Sequence, residues 1–449
     1  MKLRALAVSV FLYAVATSHA APPAAAEPSL RAGASRIDYT PAADKLPRGF
    51  NGVLDPLYVR SIVIDNGRTR AALVSIDAGA IPTDLYAKVS ARAAKELNIP
   101  AAQLLMSATH THSVPFRLGG DVEAKVMQGL VQAVARLRPA RVAWGTGLSY
   151  INVNRDIVDP VTNRWWEGPN YQGTSDKTVA VMRFETLQGE PIAVYSNYAV
   201  HAVLTGTLDM ISADIPGATS RYVEESLGGD AVALWTSGAA GDQNPIYFDQ
   251  TYQLRDIRIK DYAKRGEDIS NAMPPGGQGL DRNNPRVLLL MKQQQQMTLS
   301  MGQMLGEEIL HVMRDSLEKS PAEVTLHGEQ TTVSCPARRR TDSGRAGYPG
   351  TYVDAGEVPI TLGALRIGDI YIGAVNAEVY NAIALRLKRE SPFKHTLMAT
   401  LTNGSAATGY IPSEDAFGRN VFTVLSSSLK PGCAEAGIVN GLVGLMRGL

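Results

Sequence analysis

Short apolar and β-branched runs alternate along the chain with stretches whose apolar positions recur at helical spacing. The runs Arg70–Asp77, Gln103–Ala108, Val142–Trp144, Val179–Phe184, Ile192–Tyr198 and Ala231–Thr236 read as strands. Between them, Thr83 or Asp84 can cap a helix running through Leu97. Val122, Val126, Leu130, Val134 and Leu137 form an apolar stripe that Pro139 ends. A stripe from Met297 through Met301, Leu305 and Val312 to Met313 predicts another helix, its methionines serving as core packing. In the last third, strands are expected at 323–335, 359–367, 369–375 and 395–402. A helix is expected from about Ala377 to Lys388 and an amphipathic one near 434–447. No internal repeat is present, and the alternation predicts an α/β core with helices packed on a sheet.

Two stretches break the pattern. Residues 21–34 are Ala/Pro-rich and lack periodicity, which predicts a flexible leader, with the ordered body beginning near Ser35. Residues 249–295 are dominated by charges, Asn, Pro and Gly through RDIRIKDYAKRGED and NAMPPGGQGLDRNNP, and read as a long surface insertion able to act as a lid. Ahead of the leader, residues 1–20 place Lys2 and Arg4 before an apolar run from Leu6 to Val15 and end in small residues. That is the pattern of a secretory signal peptide cleaved after Ala20, which predicts a secreted or periplasmic protein.

Composition narrows the class further. With 449 residues, 45% hydrophobic and 19% charged, the chain can bury a large core, as one large domain or two ordinary ones. Loss of the signal peptide leaves 42 basic and 43 acidic residues, a near-neutral balance that gives no footprint for nucleic acid. No later stretch has the roughly 20 consecutive apolar residues of a membrane helix. Cys335 and Cys433 are the two cysteines; in an exported chain they can form one bridge, and their separation is not that of a zinc motif.

The candidate chemistry lies after apolar strands. His110 and His112 sit in SATHTHSVP and His201 in SNYAVHAVLTG. Neutral imidazole is a good zinc ligand, and a strand end can present it where a substrate approaches. Any one of these histidines alone is as well explained by a hydrogen-bonded loop or core position. In an extended His-x-His both side chains share a face, so His112 has either a second ligand role or a separate one. Polar clusters with Asp and Gly follow other strands too: SID at Asp77, NVNRD around Asn154 and Arg155, SADIPG at Asp214 and SGAAGDQNP at Asp242. Such loops are where α/β enzymes keep their sites.

The ordered series VSIDAG, SATHTHS, VNRD, NYAVH, ISADIPG, SGAAGDQNP, VNAEVYNAIALRLKRESPFKHT and GYIPSEDAF, from about Ser35 to Phe417, resembles the catalytic domain of neutral/alkaline non-lysosomal ceramidases. The resemblance implies a mixed-sheet α/β catalytic domain over 35–449. It also implies a zinc ion held by His110, His201, Glu378 and Tyr410, with His112 and Arg155 near the substrate's amide. The implied reaction is hydrolysis of an N-acyl lipid such as ceramide by activated water, with a lipid or small-molecule substrate and peripheral membrane contact as its partners. Arg155 then stabilises the oxyanion and His112 moves a proton to the departing amine.

The sequence departs from the family in three places. Asn244 stands where family members have a Ser, the stretch before Tyr410 is longer than usual, and the family's carboxyl-terminal immunoglobulin-like domain is not expected here. Two further readings stay open on that account: a zinc hydrolase of another small amide, ester or glycan-derived substrate, and an exported binding protein of the same fold.

Overall fold

The computed structural model describes residues 30–449 apart from 116, 117, 120, 163, 229, 270–278, 320–322 and 343–346. The expected signal peptide and residues 21–29 of the expected leader lie outside the described residues.

In chain order the strands are β1 Arg31–Asp38, β2 Tyr58–Asp65, β3 Arg70–Ile76, β4 Leu104–Ala108, β5 Arg138–Leu148, β6 Asn152–Val158, β7 Trp165–Asn170, β8 Thr178–Thr186, β9 Pro191–Tyr198, β10 Val232–Ser237, β11 Gln243–Pro245, β12 Glu318–Lys319, β13 Leu326–Arg340, β14 Tyr352–Ile367, β15 Ile370–Val375, β16 Glu378–Val379, β17 His395–Ala399 and β18 Tyr410–Ile411. The helices are α1 Thr83–Leu97, α2 Val122–Ala135, α3 Asp214–Leu227, α4 Asp249–Ala263, α5 Pro285–Asp315, α6 Asn381–Glu390, α7 Phe422–Ser426 and α8 Ala434–Gly448.

The large sheet runs β10-β9-β8-β5-β1-β2-β3-β4, with β12 beside β5. It is mixed: β3–β4 and β9–β10 are parallel and its other pairs antiparallel. Among the described residues its two halves are paired as strands through Arg31 and Ala32 of β1 with Pro139 and Arg138 of β5. That short seam lets the halves fold around one core. Leu73, Ile62, Phe184 and Leu234 from both halves bury there with Leu365, Ile372 and Leu397 of the second sheet, β13-β14-β15-β17.

Strand alternation decides what lies outside this core. Ala72, Val74 and Ile76 of β3 turn the other way, onto Val89 of α1 and Val126 and Leu130 of α2. Val181, Val194 and Trp235 likewise face Val223 of α3 and Met301 and Leu305 of α5. Ile360 and Leu362 face Ile383 of α6 and Ile438 and Leu442 of α8. The result is two sheets face to face with helices on both outer surfaces; each such buried Val, Leu or Ile contributes about 1.5–3 kcal/mol. Cys335 of β13 and Cys433, just before α8, are bridged, with their Cα atoms 5.7 Å apart.

Two stretches differ in detail from the expectation. β1 begins at Arg31, inside the stretch read as leader, and pairs with β2 from Arg31–Asp65 to Asp38–Tyr58. Its small residues Ala32, Gly33 and Ala34 hid it in an Ala-rich context, yet Gly33 is needed because α2 passes so close that a Cβ would lie 2.1 Å from the Ala133 carbonyl. The segment 249–295 carries α4 and the start of α5; Leu254, Leu280, Val287, Leu290 and Met291 cluster with Leu208. The charge-rich run is largely the solvated side of α4, whose buried residues are Thr251 and Leu254.

Candidate active site

Folding the large sheet around its core brings the loop after β4 beside the loop after β9. Thr111 and Ala202 form a parallel bridge, and the His112 N–H donates to the Ala202 carbonyl at 3.0 Å. His110 follows β4 by two residues with φ +66°, a left-handed conformation uncommon outside glycine. It is held there by its N–H on the Ala78 carbonyl at 2.9 Å and by Nδ1 on the Gly79 carbonyl at 2.7 Å. His201 is held the same way, with N–H and Nδ1 each 3.1 Å from the Gln243 carbonyl.

Those carbonyls fix the tautomers. A carbonyl only accepts, so each Nδ1 must carry the proton, which leaves the Nε2 lone pairs of His110 and His201 aimed into the site. His112 Nε2 lies 3.2 Å from His110 Nε2. One ring nitrogen from each of His110, His112 and His201 falls within 4.8 Å of the others, a group able to hold a metal ion.

Glu378 and Tyr410 arrive from a separate element. They are partners on one rung of the two-stranded parallel ladder β16–β18, so their side chains share a face although 32 residues separate them in the chain. Glu378 was expected at a helix start; it is instead on β16, and α6 begins at Asn381. Its Oε2 stands 3.1 Å from His110 Nε2 and 3.2 Å from His201 Nε2. The Tyr410 ring lies 6.5 Å from that of His201 and 5.4 Å from the Arg155 guanidinium, close enough for Glu378 and Arg155 to perturb its hydroxyl.

Arg155 comes from β6. It is buried, donates to the Gly241 carbonyl at 2.7 Å and lies 5.4 Å from the centre of the Tyr410 ring. Asn244 does not join the histidines directly. It sits on β11, opposite Val153 of β6, and its Nδ2 donates to Glu167 Oε1 at 2.8 Å; Glu167 in turn lies 3.7 Å from Arg155 Nη1.

The electrostatics follow from burial and neighbours. Desolvation opposes charge on His110, but the Glu378 carboxylate outweighs it and holds this imidazole above its ordinary range. Glu378 is held well below the carboxylate range because His110 and His201 overcome its own burial. His201 is pushed down to about 4 by desolvation and Arg155. His112 is exposed as a residue, yet desolvation of its ring and the adjacent His110 and His201 keep it well below its ordinary value. Burial and Glu378 raise Tyr410.

This donor set fits a metal. The Nε2 lone pairs of His110 and His201 face the Glu378 carboxylate oxygen at 3.1 and 3.2 Å, acceptors that repel unless a proton or a cation lies between them. Imidazole nitrogens beside a carboxylate oxygen, each far nitrogen tied to a carbonyl, are the ligand types and outer hydrogen bonds of a zinc-type site.

The sequence reading missed Glu167, whose one signal was the alternation in WWE that buries Trp165 and Glu167 and exposes Trp166. It also missed the carbonyls of Gly79 and Gln243, which no side-chain pattern can show. Two residues it singled out serve the framework. Asp77 accepts from Arg60 and the Tyr58 N–H, and Asp214 from Thr205 and the Ile215 N–H.

No protein-family model matches the chain. Neutral ceramidase B of Dictyostelium discoideum is 28% identical over 239 residues, 46% of this chain and 33% of that relative. Neutral ceramidase of Drosophila melanogaster is 27% identical over 223 residues, 43% of this chain and 32% of the fly protein. The chain thus matches about a third of the length of these curated relatives. Among solved structures, neutral ceramidase from Pseudomonas aeruginosa overlays with a TM-score of 0.68 at 17% identity, over 93% of this chain and 74% of that one. A ceramidase complexed with C2 overlays with a TM-score of 0.67 at the same identity. The fold is the mixed-sheet α/β fold of these structures. In sequence the chain is similar to the neutral ceramidases over part of its length.

Proposed function

We propose that the chain is an exported zinc-dependent amidohydrolase that cleaves an N-acyl lipid such as ceramide into an amine and a fatty acid. The observation that carries this is the convergence of the His110 and His201 Nε2 atoms on Glu378 Oε2, with both far nitrogens tied to carbonyls. His110, His201, Glu378 and Tyr410 would hold the ion. When bound, it supplies an acid that polarises the substrate carbonyl and lowers the pKa of a water to about 7.

The chain's own groups do the rest. His112 is neutral near pH 7 and beside the ligands, so its ring can take a proton from the attacking water. As the water oxygen bonds to the carbonyl carbon and the C–N bond breaks, His112 passes that proton to the departing nitrogen. Arg155, fixed by the Gly241 carbonyl and lying 5.4 Å from the centre of the Tyr410 ring, offers a permanent positive charge to the oxyanion. The sequence relatives are neutral ceramidases by name, which supports the substrate class. The Cys335–Cys433 bridge suits an oxidising compartment and supports export. No described helix is long and apolar enough to cross a membrane.

A second substrate reading, a smaller polar amide or ester, is favoured by the buried Asn244–Glu167 pair at the place where the family has a Ser. Elemental analysis of the purified protein, then fluorescent ceramide hydrolysis with and without chelator, tests both. Zinc near one per chain with chelator-sensitive cleavage supports the leading reading. Zinc without ceramide cleavage moves the site to the second substrate class, and failure to take up zinc removes the enzyme reading.

A further inference from the structure

The carbonyl that holds His201 belongs to Gln243, on the three-residue edge strand β11. Backbone pairing ties β11 to β6, and the wholly buried Gln243 side chain adds a second hold from the segment between β7 and β8. Its Nε2 donates to the Thr174 carbonyl at 2.9 Å, and its Oε1 accepts from Ser175 Oγ at 2.6 Å. A carbonyl only accepts, so the amide must lie this way round. Lys177 sets the direction of the Ser175 proton. Its Nζ donates to Ser175 Oγ at 2.9 Å, to the Asn152 carbonyl at 2.6 Å and to Asn152 Oδ1 at 2.8 Å, which uses all three N–H bonds of an ammonium. Ser175 Oγ accepts from Lys177 and gives its own proton to Gln243. Asn152 returns to the same loop: its Nδ2 donates at 2.7 Å to the carbonyl of Ala199, two residues before His201.

We propose that Gln243, Ser175 and Lys177 are positioning residues for the metal centre, a hydrogen-bonded chain that fixes the tautomer and orientation of His201. They act on His201 at one remove. Lys177 aims the Ser175 hydroxyl, that hydroxyl and Thr174 lock the Gln243 amide, and the locked residue presents its backbone carbonyl to His201 Nδ1. The ammonium polarises the hydroxyl, so the bond from Ser175 to Gln243 is stronger than that of an isolated neutral pair. A histidine held at its far nitrogen has its ring and tautomer set before an ion arrives, and loss of such an outer partner costs about 10–100-fold in metal affinity. The consequence for zinc rests on the metal-binding reading of His201; the effect on the imidazole itself does not.

The test compares Gln243→Leu, Ser175→Ala, Ser175→Thr and Lys177→Met with the wild type. Zinc affinity is measured by titration against a competing chromophoric chelator, and the His201 tautomer by imidazole nitrogen NMR of the metal-free protein at neutral pH. Gln243→Leu and Ser175→Ala should weaken zinc binding by about tenfold or more, and Lys177→Met by about threefold or more. Ser175→Thr keeps the hydroxyl and should stay within about threefold of the wild type. In the metal-free wild type the His201 proton resides on Nδ1, and Ser175→Ala should move a measurable share of it to Nε2. A merely structural role would lower unfolding stability and leave both zinc affinity and tautomer as they are. Zinc affinity within about threefold of the wild type in Gln243→Leu and Ser175→Ala, or Ser175→Thr as weak as Ser175→Ala, overturns the proposal. Should Gln243→Leu fail to fold, the two Ser175 variants decide. Should the wild type take up no zinc, the enzyme reading falls and the tautomer decides alone: a shift in Ser175→Ala keeps the positioning chain, and an unchanged tautomer sinks it.

Discussion

His110 and His112 show how one residue type takes two roles two positions apart. His110 and His201 each have Nδ1 tied to a carbonyl, whereas among the described residues no carbonyl bond to the His112 ring is seen, and His112 is an exposed residue. A ligand needs a fixed tautomer and orientation; a proton carrier needs freedom and access. His110→Ala or His201→Ala should therefore lose bound zinc. His112→Ala should retain it and lose about a hundredfold or more in turnover, the usual worth of a positioned proton carrier. Zinc content and kcat measured on the same samples check this, and a His112→Ala protein with full activity or no zinc removes the assignment. At this scale each histidine, Arg155, Glu378 and Tyr410 had an ordinary explanation alone and was legible through the ordered motif series; the structure brings the six together. Glu167 was illegible because a Glu between Trp166 and Gly168 reads as surface until β7 is known to pair with β6 and turn it inward.

Elements place what residues cannot place alone. β16 and β18 are two residues each, too short for any periodicity to announce, yet their register sets Glu378 against Tyr410. The long alternating runs that became β3, β8 and β9 were legible because one face buries in the shared core and the other under helices. β1, β6, β7 and β11 were not, since their apolar residues are few or small. The β18 rung depends on Gly409, with φ +63° and a position where a Cβ would meet the Ser426 carbonyl at 2.3 Å. Gly409→Ala must shift the backbone beside Tyr410, so about 1–3 kcal/mol of stability should be lost to the strained conformation. The fall in zinc affinity should exceed that produced by Gly418→Ala, a position with open space. Denaturant unfolding with zinc titration of both variants checks the pair; equal zinc affinity would show that the ladder does not position the ligands.

The whole molecule is held by one covalent tie and a set of buried charges, and each predicts a response. The Cys335–Cys433 bridge spans 98 residues and fastens α8 to β13, on the outer face of the second sheet. Loop-closure entropy for a ring of that size reaches about 4.7 kcal/mol, so Cys433→Ser should lower unfolding stability by roughly 2–4 kcal/mol and leave zinc content unchanged. The charge response is worked out best on Asp242. Burial and the neighbouring Asp156 push its carboxyl up to about 7, against about 3.9 in an unfolded chain. Between those values the native protein keeps a proton that the unfolded chain has lost, so Asp242 contributes less stability as pH rises, until the loss is complete above about 7. His112 and His201, both depressed, act oppositely: the unfolded chain takes up protons there as pH falls below about 6.5. Total stability mixes these terms, and the contribution of Asp242 must be isolated by difference. The stability of the chelator-treated wild type minus that of Asp242→Asn, which cannot titrate, should fall steadily from about pH 4 to pH 7 and then stay level. A difference that stays level or rises over that range would mean that the hydrogen bonds from Asn154 and the Asn381 N–H keep Asp242 ionised against its burial.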